Sequence, residues 1–259
     1  MNIQHTGGKV NIKGVEIGPG QPCRIVAEVS NAHNGSLARA HRIIEAAKEA
    51  GADFVKFQAY TPDELISMRG DGKPPPPWDE MTMHELYTKA MTPHGWFPSL
   101  SEKCDRVGIP WFSSVFGLDS LEMLERNWCP VYKLSSLDIE YQAFRRSVHM
   151  TGKPIIQSRP KLTDAIDHLS ADLTLWCPPG YPQTVSAPFP AWADGFSYHG
   201  TDWEVAASVA KAGAQLIEVH VQLDDEPSEL EEDVSLTMSQ LKELCDAVKP
   251  PKKRTRGRK

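Results

Sequence analysis

The chain has little of what would mark it as a secreted, disulfide-bonded or membrane protein. Its five cysteines form no CxxC pair, and an odd, unpatterned set of this kind indicates reduced thiols. No apolar run reaches the ~18 residues that a membrane-spanning helix requires. The N-terminal stretch MNIQHTGGKVNIKG has no hydrophobic signal region. These absences predict a soluble, cytoplasmic protein.

Positive charge is scarce over most of the chain. The formal net charge of −6 excludes a protein whose body coats nucleic acid or an anionic membrane. Lys and Arg concentrate in residues 250–259, PPKKRTRGRK, which we predict to be a disordered, solvated tail. Contact of this tail with nucleic acid or with a protein partner is the alternative. Nucleic acid is therefore expected as a partner only through the tail.

Short apolar runs alternate with helical patterns along the rest of the chain. Helices are predicted over 36–51, 92–107, 118–127 and 140–151, among others. The polar segment between the strand DFVKFQ and the helix at 92–107, which contains GKPPPPW (72–78), is predicted to be a long loop. Residues 178–193, with five prolines, are expected to be irregular. The predicted strands are RIVAEVS, DFVKFQ, IPWFSSVF, VYKLSS, KPIIQS, LTLWC, DGFSYHG and QLIEVHV.

Eight strands, each followed by a helix or a replacement loop, favour one α/β domain. We predict a single (β/α)₈ TIM barrel over residues 1–249, with an N-terminal extension at 1–20. A doubly wound open sheet is the alternative. Its glycine-rich phosphate-binding fingerprint is missing after the first strand, where the sequence reads SNAHNGS.

Polar side chains fall near the end of almost every predicted strand. In a barrel of this kind, catalytic groups gather at the C-terminal ends of the strands, so these residues are expected to share one site. Glu218 is interpreted as a buried partner of His220 or as a group behind it. The residues are Glu28, Lys56, Gln58, Ser114, Lys133, Ser136, Asp138, Ser158, Ser197, His199, Glu218 and His220.

The residue types indicate two kinds of chemistry. Two inward lysines, Lys56 and Lys133, surrounded by hydroxyls would make an anion pocket, although a lysine at such a site can also form a Schiff base. Two histidines at the ends of adjacent strands, His199 and His220, would suit a divalent metal with open positions for water and substrate. Such a metal can polarise a carbonyl.

The motifs in this order resemble the sialic acid synthase family. They are IVAEVSNAHNGSLARAHRIIEAAKEAGADFVKFQ, GIPWFSSVF, VYKLSSLDI, TGKPIIQS, WCPPGYP, GFSYHG and GAQLIEVHVQLD, and together they span roughly residues 20–248. The resemblance implies a (β/α)₈ barrel and the condensation of phosphoenolpyruvate with the open-chain aldehyde of an N-acetylmannosamine-type sugar, with release of phosphate. It implies a divalent metal, manganese in the first place and magnesium, cobalt or zinc as alternatives.

Carried over by position, the resemblance implies roles for individual residues. His199 and His220 match the metal ligands, and Glu231 stands roughly where the family has an aspartate. Asp138 stands where the family has a glutamate proposed in proton transfer. The implied catalytic residues are Glu28, Lys56, Lys133, Asp138 and His220, and the implied substrate-binding residues are Gln58, Ser114, Ser136, Ser158, Tyr181 and Ser197.

The sequence departs from the family pattern at the expected sugar end of the site. SRPK places Arg159 and Lys161 beside the pocket, and SYHG puts Tyr198 where the family has an acidic residue. The family's small antifreeze-like domain, which pairs two subunits, has no counterpart in the sequence, so a homodimer is expected only through other surfaces. The acceptor is therefore expected to be an altered aldose. A Schiff-base aldolase or lyase and a non-catalytic binding barrel are the alternative functions.

Overall fold

The computed structural model of the chain describes residues 9–161 and 171–249. Eight parallel strands close into a barrel, because the last barrel strand pairs with both the first and the seventh. The predicted (β/α)₈ barrel is thereby confirmed. The barrel strands are β3 (Arg24–Glu28), β4 (Phe54–Ala59), β5 (Trp111–Val115), β6 (Tyr132–Leu134), β7 (Ile155–Arg159), β8 (Leu173–Trp176), β9 (Gly195–Tyr198) and β10 (Leu216–Gln222).

The first 20 residues, predicted only as an extension, contain a hairpin of β1 (Val10–Ile12) and β2 (Val15–Ile17). Ile12 and Ile17 are fully buried and belong to the main hydrophobic core. The Arg24 side chain, at the start of β3, donates to the backbone oxygen of Glu16 at 3.0 Å. The hairpin therefore packs against the N-terminal end of the barrel.

Helices connect most of the strands. In the first helix, Ser36 caps the start by accepting from the Arg39 backbone N–H, and Gly51 ends it at φ 101°, where a glycine carries no steric penalty. No helix of the described residues is long and apolar enough to cross a membrane. The helices are α1 (Leu37–Ala50), α2 (Pro62–Arg69), α3 (Met83–Ala90), α4 (Phe97–Val107), α5 (Leu118–Arg126), α6 (Gln142–His149), α7 (Trp203–Lys211) and α8 (Met238–Val248), with 3₁₀ turns at His94–Trp96, Ser136–Asp138 and Glu232–Val234.

The prediction was wrong for part of the segment between β4 and α4. Residues 72–78 lack regular structure as predicted, but α2 and α3 lie on either side of them. Each of these helices begins with a capping box, from Thr61 to Glu64 and from Thr82 to Glu85. The β8–β9 connection has no helix, as predicted. The short helix predicted at 162–170 and the tail at 250–259 lie outside the described residues.

The barrel interior changes from apolar to charged along the strands. Because neighbouring parallel strands pair in register, residues of one parity face inward together. Every barrel strand except β8, whose upper inward residue is Leu175, thus carries a polar or charged side chain toward its C-terminal end. The lower inward positions are Val26, Phe54, Phe112, Ile156, Leu173 and Leu216, and the upper ones are Glu28, Lys56, Ser114, Lys133, Ser158, Ser197 and Glu218.

A short strand extends the sheet at the top of β10. This strand, β11 (Ser235–Thr237), runs parallel to His220–Gln222. The connection that leads from β10 to β11 therefore starts beside His220 and returns to it, which places residues 223–234 over the C-terminal mouth of the barrel.

Candidate active site

Two connected cavities lie at the C-terminal end of the barrel. The inner cavity, of about 80 Å³, is enclosed by polar residues that come from β4 through β10 or directly follow these strands. The outer cavity, of about 330 Å³, lies between the strand ends and the loops and helices above them. The two cavities are continuous, because five residues line both: Gln58, Phe116, Ser135, His199 and His220.

Four buried charges form an ion cluster at the inner cavity. The Lys56 ammonium contacts the Glu28 carboxylate and lies 3.5 Å from Glu218, whose Oε1 is also 2.9 Å from the Lys133 ammonium. Hydroxyls complete the cluster: Lys56 donates to Ser114 Oγ at 2.8 Å, and Ser197 Oγ donates to Glu218 at 3.0 Å. Two lysines and two glutamates leave no net charge, so the cluster avoids the large cost of an unpaired buried ion.

The buried charges shift one another's protonation. Burial alone would raise the pKa of Glu218, but Lys133 and Lys56 outweigh it and lower this pKa to about 2. Burial alone would lower the pKa of Lys56, but Glu218 and Glu28 outweigh it and raise the pKa. Burial also raises the pKa of Glu28, against the attraction of Lys56. Glu218 and Lys56 are thus held in their charged forms.

Two buried polar atoms in the inner cavity make no hydrogen bond. Ser158 Oγ and Glu218 Oε2 are inaccessible to solvent and have no partner. Buried polar atoms in folded proteins nearly always have partners, so such exceptions need a specific explanation. A small ligand with oxygen atoms of its own would provide the missing partner for the Ser158 hydroxyl.

A pair of histidines stands at the boundary between the two cavities. The ring centroids of His199 and His220 are 4.9 Å apart. Burial lowers the pKa of His199 to about 3, and the neighbouring His220 adds to this effect. Burial alone would lower the pKa of His220, but Glu231 outweighs it and raises the pKa.

Neighbouring side chains fix the orientation of both rings. Nδ1 of His220 lies 3.1 Å from Glu231 Oε2, and Tyr181 donates its hydroxyl to Glu231 Oε1 at 2.5 Å. Gln183 accepts from the backbone N–H of His199 at 3.0 Å, and its amide nitrogen lies 2.9 Å from His199 Nδ1. A carboxylate behind one ring nitrogen leaves the other nitrogen of His220 available as a ligand.

These two imidazoles could contribute two ligands to a divalent metal. They are adjacent and lie on the wall shared by both cavities. Within residues 9–161 and 171–249 no group of three or more His, Cys, Asp and Glu side chains could hold a metal ion. A metal at this boundary would therefore have two protein ligands and would leave its other positions to water and substrates.

The connection between β10 and β11 delivers Glu231 to this site. Ser228 anchors it, because its backbone N–H donates to Gln222 and its hydroxyl donates to Asn31, both at 2.8 Å. Arg39 of α1 pairs with Glu226 of the same connection at 2.6 Å. Burial alone would raise the pKa of Glu231, but His220 outweighs it and lowers this pKa to about 2. Glu231 is therefore held as a carboxylate beside His220.

Aromatic and aliphatic side chains form most of the outer cavity. Tyr60 packs edge-on against both Phe116 and Tyr87, with centroids 5.8 and 6.0 Å apart. Trp78, from the proline-rich loop, lies 6.0 Å from Tyr181 across the mouth. The cavity thus has an apolar wall that a ligand with methyl or ring-face surface can contact.

The residues predicted from the sequence divide between the two cavities. Tyr181 lines the outer one. Glu28 and Asp138 are fully buried and line neither cavity, since Glu28 pairs with Lys56 below and Asp138 pairs with Arg69. Arg159 and Lys161 also line neither. The inner cavity brings together Lys56, Gln58, Ser114, Lys133, Ser136, Ser158, Ser197, His199 and His220.

Several site residues were missed by the sequence reasoning. Arg69, Trp78 and Tyr87 come from the segment predicted as a loop, and Gln183 comes from the irregular stretch at 178–193. The capping box at Thr61 could have revealed the helix that carries Arg69. Glu218 contacts the two lysines, whereas the partner of His220 is Glu231.

The NeuB family model matches residues 43–166 and 181–258 of the chain. Similar proteins include the pseudaminic acid synthase of Helicobacter pylori, 38% identical over 181 residues, and that of Campylobacter jejuni, 31% identical over 250 residues. These alignments cover 64% and 87% of this chain, and 52% and 72% of the relatives. The chain thus matches about half the length of the Helicobacter relative. The N-acetylneuraminate-9-phosphate synthase of Homo sapiens is 25% identical, over 90% of this chain and 71% of its own.

Solved structures share the fold. The N-acetylneuraminic acid synthetase of Leptospira borgpetersenii superposes with a TM-score of 0.79 at 23% identity, over 95% of this chain and 89% of its own. The spore coat polysaccharide biosynthesis protein SpsE of Bacillus subtilis gives 0.75 at 24% identity, over 93% of this chain and 71% of its own. At such identities these likenesses concern the fold alone.

Proposed function

This chain belongs to the NeuB family, and we propose that it is a phosphoenolpyruvate-dependent condensing enzyme that builds a nonulosonate sugar acid. Phosphoenolpyruvate would occupy the inner cavity and the aldehyde of an aldose would enter from the outer one. The observation that carries the proposal is the buried lysine–serine cluster that opens onto a histidine pair. Relatives named as pseudaminic acid synthases support the same reaction class.

The inner cavity contains two ammonium groups that a small dianion or trianion could bind. Lys56 and Lys133 would bind its phosphate and carboxylate, and the unpartnered Ser158 hydroxyl would donate to one of its oxygens. Glu28 pairs with Lys56, and Glu218 pairs with Lys133. Binding is therefore an exchange in which ligand oxygens compete with two carboxylates for the same ammonium groups.

The reaction forms a carbon–carbon bond and a carbon–oxygen bond to water, and it breaks the bridging carbon–oxygen bond. The methylene carbon of phosphoenolpyruvate attacks the aldehyde carbon, whose oxygen takes up a proton, and water adds to the resulting cationic centre with loss of a proton. Phosphate then leaves with the bridging oxygen as the added hydroxyl loses its proton and becomes the carbonyl of the keto acid. A divalent ion, manganese in the first place, held by His199 and His220 would polarise the aldehyde oxygen. Glu231 orients His220 at Nδ1 and so keeps its other nitrogen free for that role.

Schiff-base chemistry is less well supported by the same geometry. A nucleophilic lysine needs a lowered pKa so that its amine is neutral. The carboxylates around Lys56 raise its pKa instead and outweigh its burial. The other candidate, Lys133, has its ammonium 2.9 Å from the Glu218 carboxylate, which stabilises the charged form. Treatment with a keto acid and borohydride should therefore leave the protein without a covalent adduct.

The proposal is tested by following phosphate release and product mass with phosphoenolpyruvate, Mn²⁺ and a panel of aldoses. We expect turnover with at least one acceptor, and Lys133→Met should abolish it. Lys211→Met is the matched control, because Lys211 lies on α7 and outside both cavities. Absence of both turnover and phosphoenolpyruvate binding in calorimetry would refute the proposal.

The metal assignment has its own test. Electron paramagnetic resonance should detect Mn²⁺ bound to the wild-type protein, and His220→Ala should lose that signal. His84→Ala is the control, because His84 lies exposed on α3 and lines neither cavity. An unchanged Mn²⁺ affinity of His220→Ala would contradict the ligand role.

A further inference from the structure

Gln183 contacts His199 through both its backbone and its side chain. Its backbone N–H donates to the His199 carbonyl at 2.7 Å, and its side-chain Oε1 accepts from the His199 backbone N–H at 3.0 Å. Its amide nitrogen donates to the Pro178 carbonyl at 2.7 Å and lies 2.9 Å from His199 Nδ1. Gln183 is 7% exposed and lines neither of the two cavities. It therefore acts on the site through His199 and not through a ligand.

The same contacts fix which end of the Gln183 amide carries the oxygen. The backbone N–H of His199 can only donate, and the Pro178 carbonyl can only accept. Exchanging the oxygen and the nitrogen of the amide would break both hydrogen bonds at once. The group that faces His199 Nδ1 is therefore an amide N–H₂, which is a donor.

A donor at this place determines where the His199 proton lies. Nδ1 can accept from the Gln183 amide only if it has no proton of its own, so the neutral ring carries its proton on Nε2. A doubly protonated ring would set an N–H against the amide N–H₂. The other hydrogen-bonding neighbour of Nδ1 among the described residues is the Cys177 thiol, a weak donor at 3.9 Å. The surroundings of Nδ1 thus favour the Nε2–H form.

The neutral His220 ring takes the opposite form. Glu231 Oε2 lies 3.1 Å from its Nδ1 and, as a carboxylate, can only accept, so Nδ1 carries the proton and Nε2 keeps a lone pair. The two rings, with centroids 4.9 Å apart, therefore differ in what they offer. His220 has a free lone pair, whereas the lone pair of His199 already accepts from Gln183. A metal ion needs a lone pair from each of its histidine ligands.

We propose that Gln183 holds His199 in the Nε2–H tautomer and thereby weakens the metal site, so that His220 is the first ligand of an incoming metal ion. His199 joins only when its hydrogen bond to Gln183 breaks, because ligation through Nε2 moves the proton to Nδ1, where it faces the amide N–H₂. Until then the ring offers a hydrogen-bond donor to an oxygen atom. This inference rests on the proposed function and describes how its metal is held.

Proton–nitrogen correlation spectra of the protein labelled at its histidines, with a chelator present, report the tautomer directly. His199 of the wild type, assigned with the help of His199→Asn, should carry its proton on Nε2. Gln183→Glu should move that proton to Nδ1, because a carboxylate there would accept from Nδ1 as Glu231 does at His220. Gln142→Glu is the matched control and should leave the tautomer unchanged, since Gln142 lies on α6 and outside both cavities.

A Mn²⁺ titration followed by electron paramagnetic resonance measures the effect on the metal site. Gln183→Leu and Gln183→Glu should each bind Mn²⁺ about 3- to 10-fold more tightly than the wild type, because binding no longer breaks a hydrogen bond. Gln183→Leu adds no negative charge, so it separates this effect from simple attraction of the cation. A general loss of structure would weaken binding instead, so the direction of the change separates positioning from a structural role. Gln142→Glu should keep the affinity of the wild type.

The outcomes distinguish this inference from the function on which it rests. A wild-type His199 with its proton on Nδ1 overturns the inference alone, and so do Gln183 variants that bind Mn²⁺ no more tightly than the wild type. If neither the wild type nor the two Gln183 variants bind Mn²⁺, the inference and the metal assignment are both overturned. Absence of turnover and of phosphoenolpyruvate binding refutes the proposed function, while the spectra and the titration still decide the role of Gln183.

Discussion

Glu218 determines the charge balance of the inner cavity. It is 2% exposed and contacts both Lys133 and Lys56. Glu218→Gln would leave two buried lysines with one carboxylate. We expect the free energy of unfolding to fall by on the order of 3 kcal/mol, while the affinity for phosphate or phosphoenolpyruvate rises because the cavity gains a positive charge.

Chemical denaturation with and without phosphate measures both effects of Glu218→Gln. Added phosphate should restore more stability to the variant than to the wild type. Glu122→Gln, at an exposed position of α5, is the control. Equal stability of the Glu218 variant and the wild type, or weaker anion binding by the variant, would contradict this account of the cluster.

His199 should make the metal-free protein less stable in mild acid. Burial holds its folded pKa at about 3, whereas an unfolded histidine titrates near 6.5. The folded ring stays neutral while the unfolded ring takes up a proton, so its contribution is present above pH ~6.5 and is lost as the pH falls toward 3.

The His199 contribution can be isolated by comparing the wild type with His199→Asn. The difference in unfolding free energy between the two proteins should shrink by up to about 1.4 kcal/mol per pH unit between pH ~6 and ~4. Urea titrations at several pH values, with a chelator present, measure it. His84→Asn serves as the control, and a wild type and His199→Asn that lose stability in parallel would contradict the prediction.

The sequence predicted the members of the inner cavity better than their pairings. Alternation along β4 and β10 was enough to place Lys56, Glu218 and His220 on the inner face. Which carboxylate meets which cation depends on the register between strands and on the loop after β10. That loop brings Glu231 to His220, whereas the sheet brings Glu218 to Lys133. Neither relation has a local signature in the sequence.

The capping box of helix α2 also ties this helix to α5. Glu64 closes the box with Thr61 and also accepts from the backbone N–H of Ser120, in the first turn of α5. The N-cap of α5 is Gly117, which has no side chain to offer. One carboxylate thus serves the N-termini of two helices, where negative charge is favourable.

Gly117→Ala should break the hydrogen bond between Glu64 of α2 and the backbone of Ser120 in α5. A Cβ atom at this position would lie 2.1 Å from Glu64 Oε1, so the Glu64 side chain would have to move away from Ser120. We expect a loss of about 1–3 kcal/mol in unfolding free energy. The acceptor KM should also rise, because α2 contributes Leu65 and Arg69 to the wall of the outer cavity. Thermal unfolding and steady-state kinetics measure the two effects.

Gly95→Ala is the matched control for Gly117→Ala, because nothing lies within 4 Å of an added Cβ there. It should change neither stability nor kinetics by a comparable amount. A Gly117→Ala variant that unfolds at the temperature of the wild type would show that the Glu64 contact is not needed to hold α2.

Both capping boxes in the segment between β4 and α4 were readable in the sequence, as Thr-Pro-Asp-Glu at 61–64 and Thr-Met-His-Glu at 82–85. The four prolines between them favoured a loop, and that inference holds for residues 70–82, between α2 and α3. Helix α2 has weak apolar periodicity, so its cap is a better signal than its pattern. Elsewhere the strong apolar periods of α1 and the strands predicted the elements closely.

Over the whole molecule, a ligand in the inner cavity would touch residues contributed by seven of the eight barrel strands, β4 through β10. We therefore expect phosphoenolpyruvate to stabilise the barrel as one unit. At a concentration of about 100 times its Kd, the free energy of unfolding should rise by about 2.7 kcal/mol. Hydrogen exchange should slow in all of these strands together, and slowing confined to the loops would contradict the prediction.

The closed barrel followed from the sequence because each βα unit carries its own strand and helix signal. The outer cavity could not be predicted from the sequence, because residues from separate connections form its wall. They are Trp78, Tyr87, Phe116 and Tyr181. No local period relates these residues, and each one alone reads as an ordinary loop or core aromatic. Only the closure of the barrel brings their loops to the same face.

The hairpin of β1 and β2 closes the N-terminal end of the barrel, so substrates would enter the active site only from the C-terminal end. With the N-terminal end packed by this hairpin and by the apolar lower layer, the wide passage from the inner cavity runs through the outer one. Substrates would then load in a compulsory sequence, phosphoenolpyruvate first and sugar second. A sugar bound in the outer cavity would block the release of phosphoenolpyruvate from the inner one. Rising acceptor concentration should therefore slow the dissociation of labelled phosphoenolpyruvate in an isotope-trapping experiment.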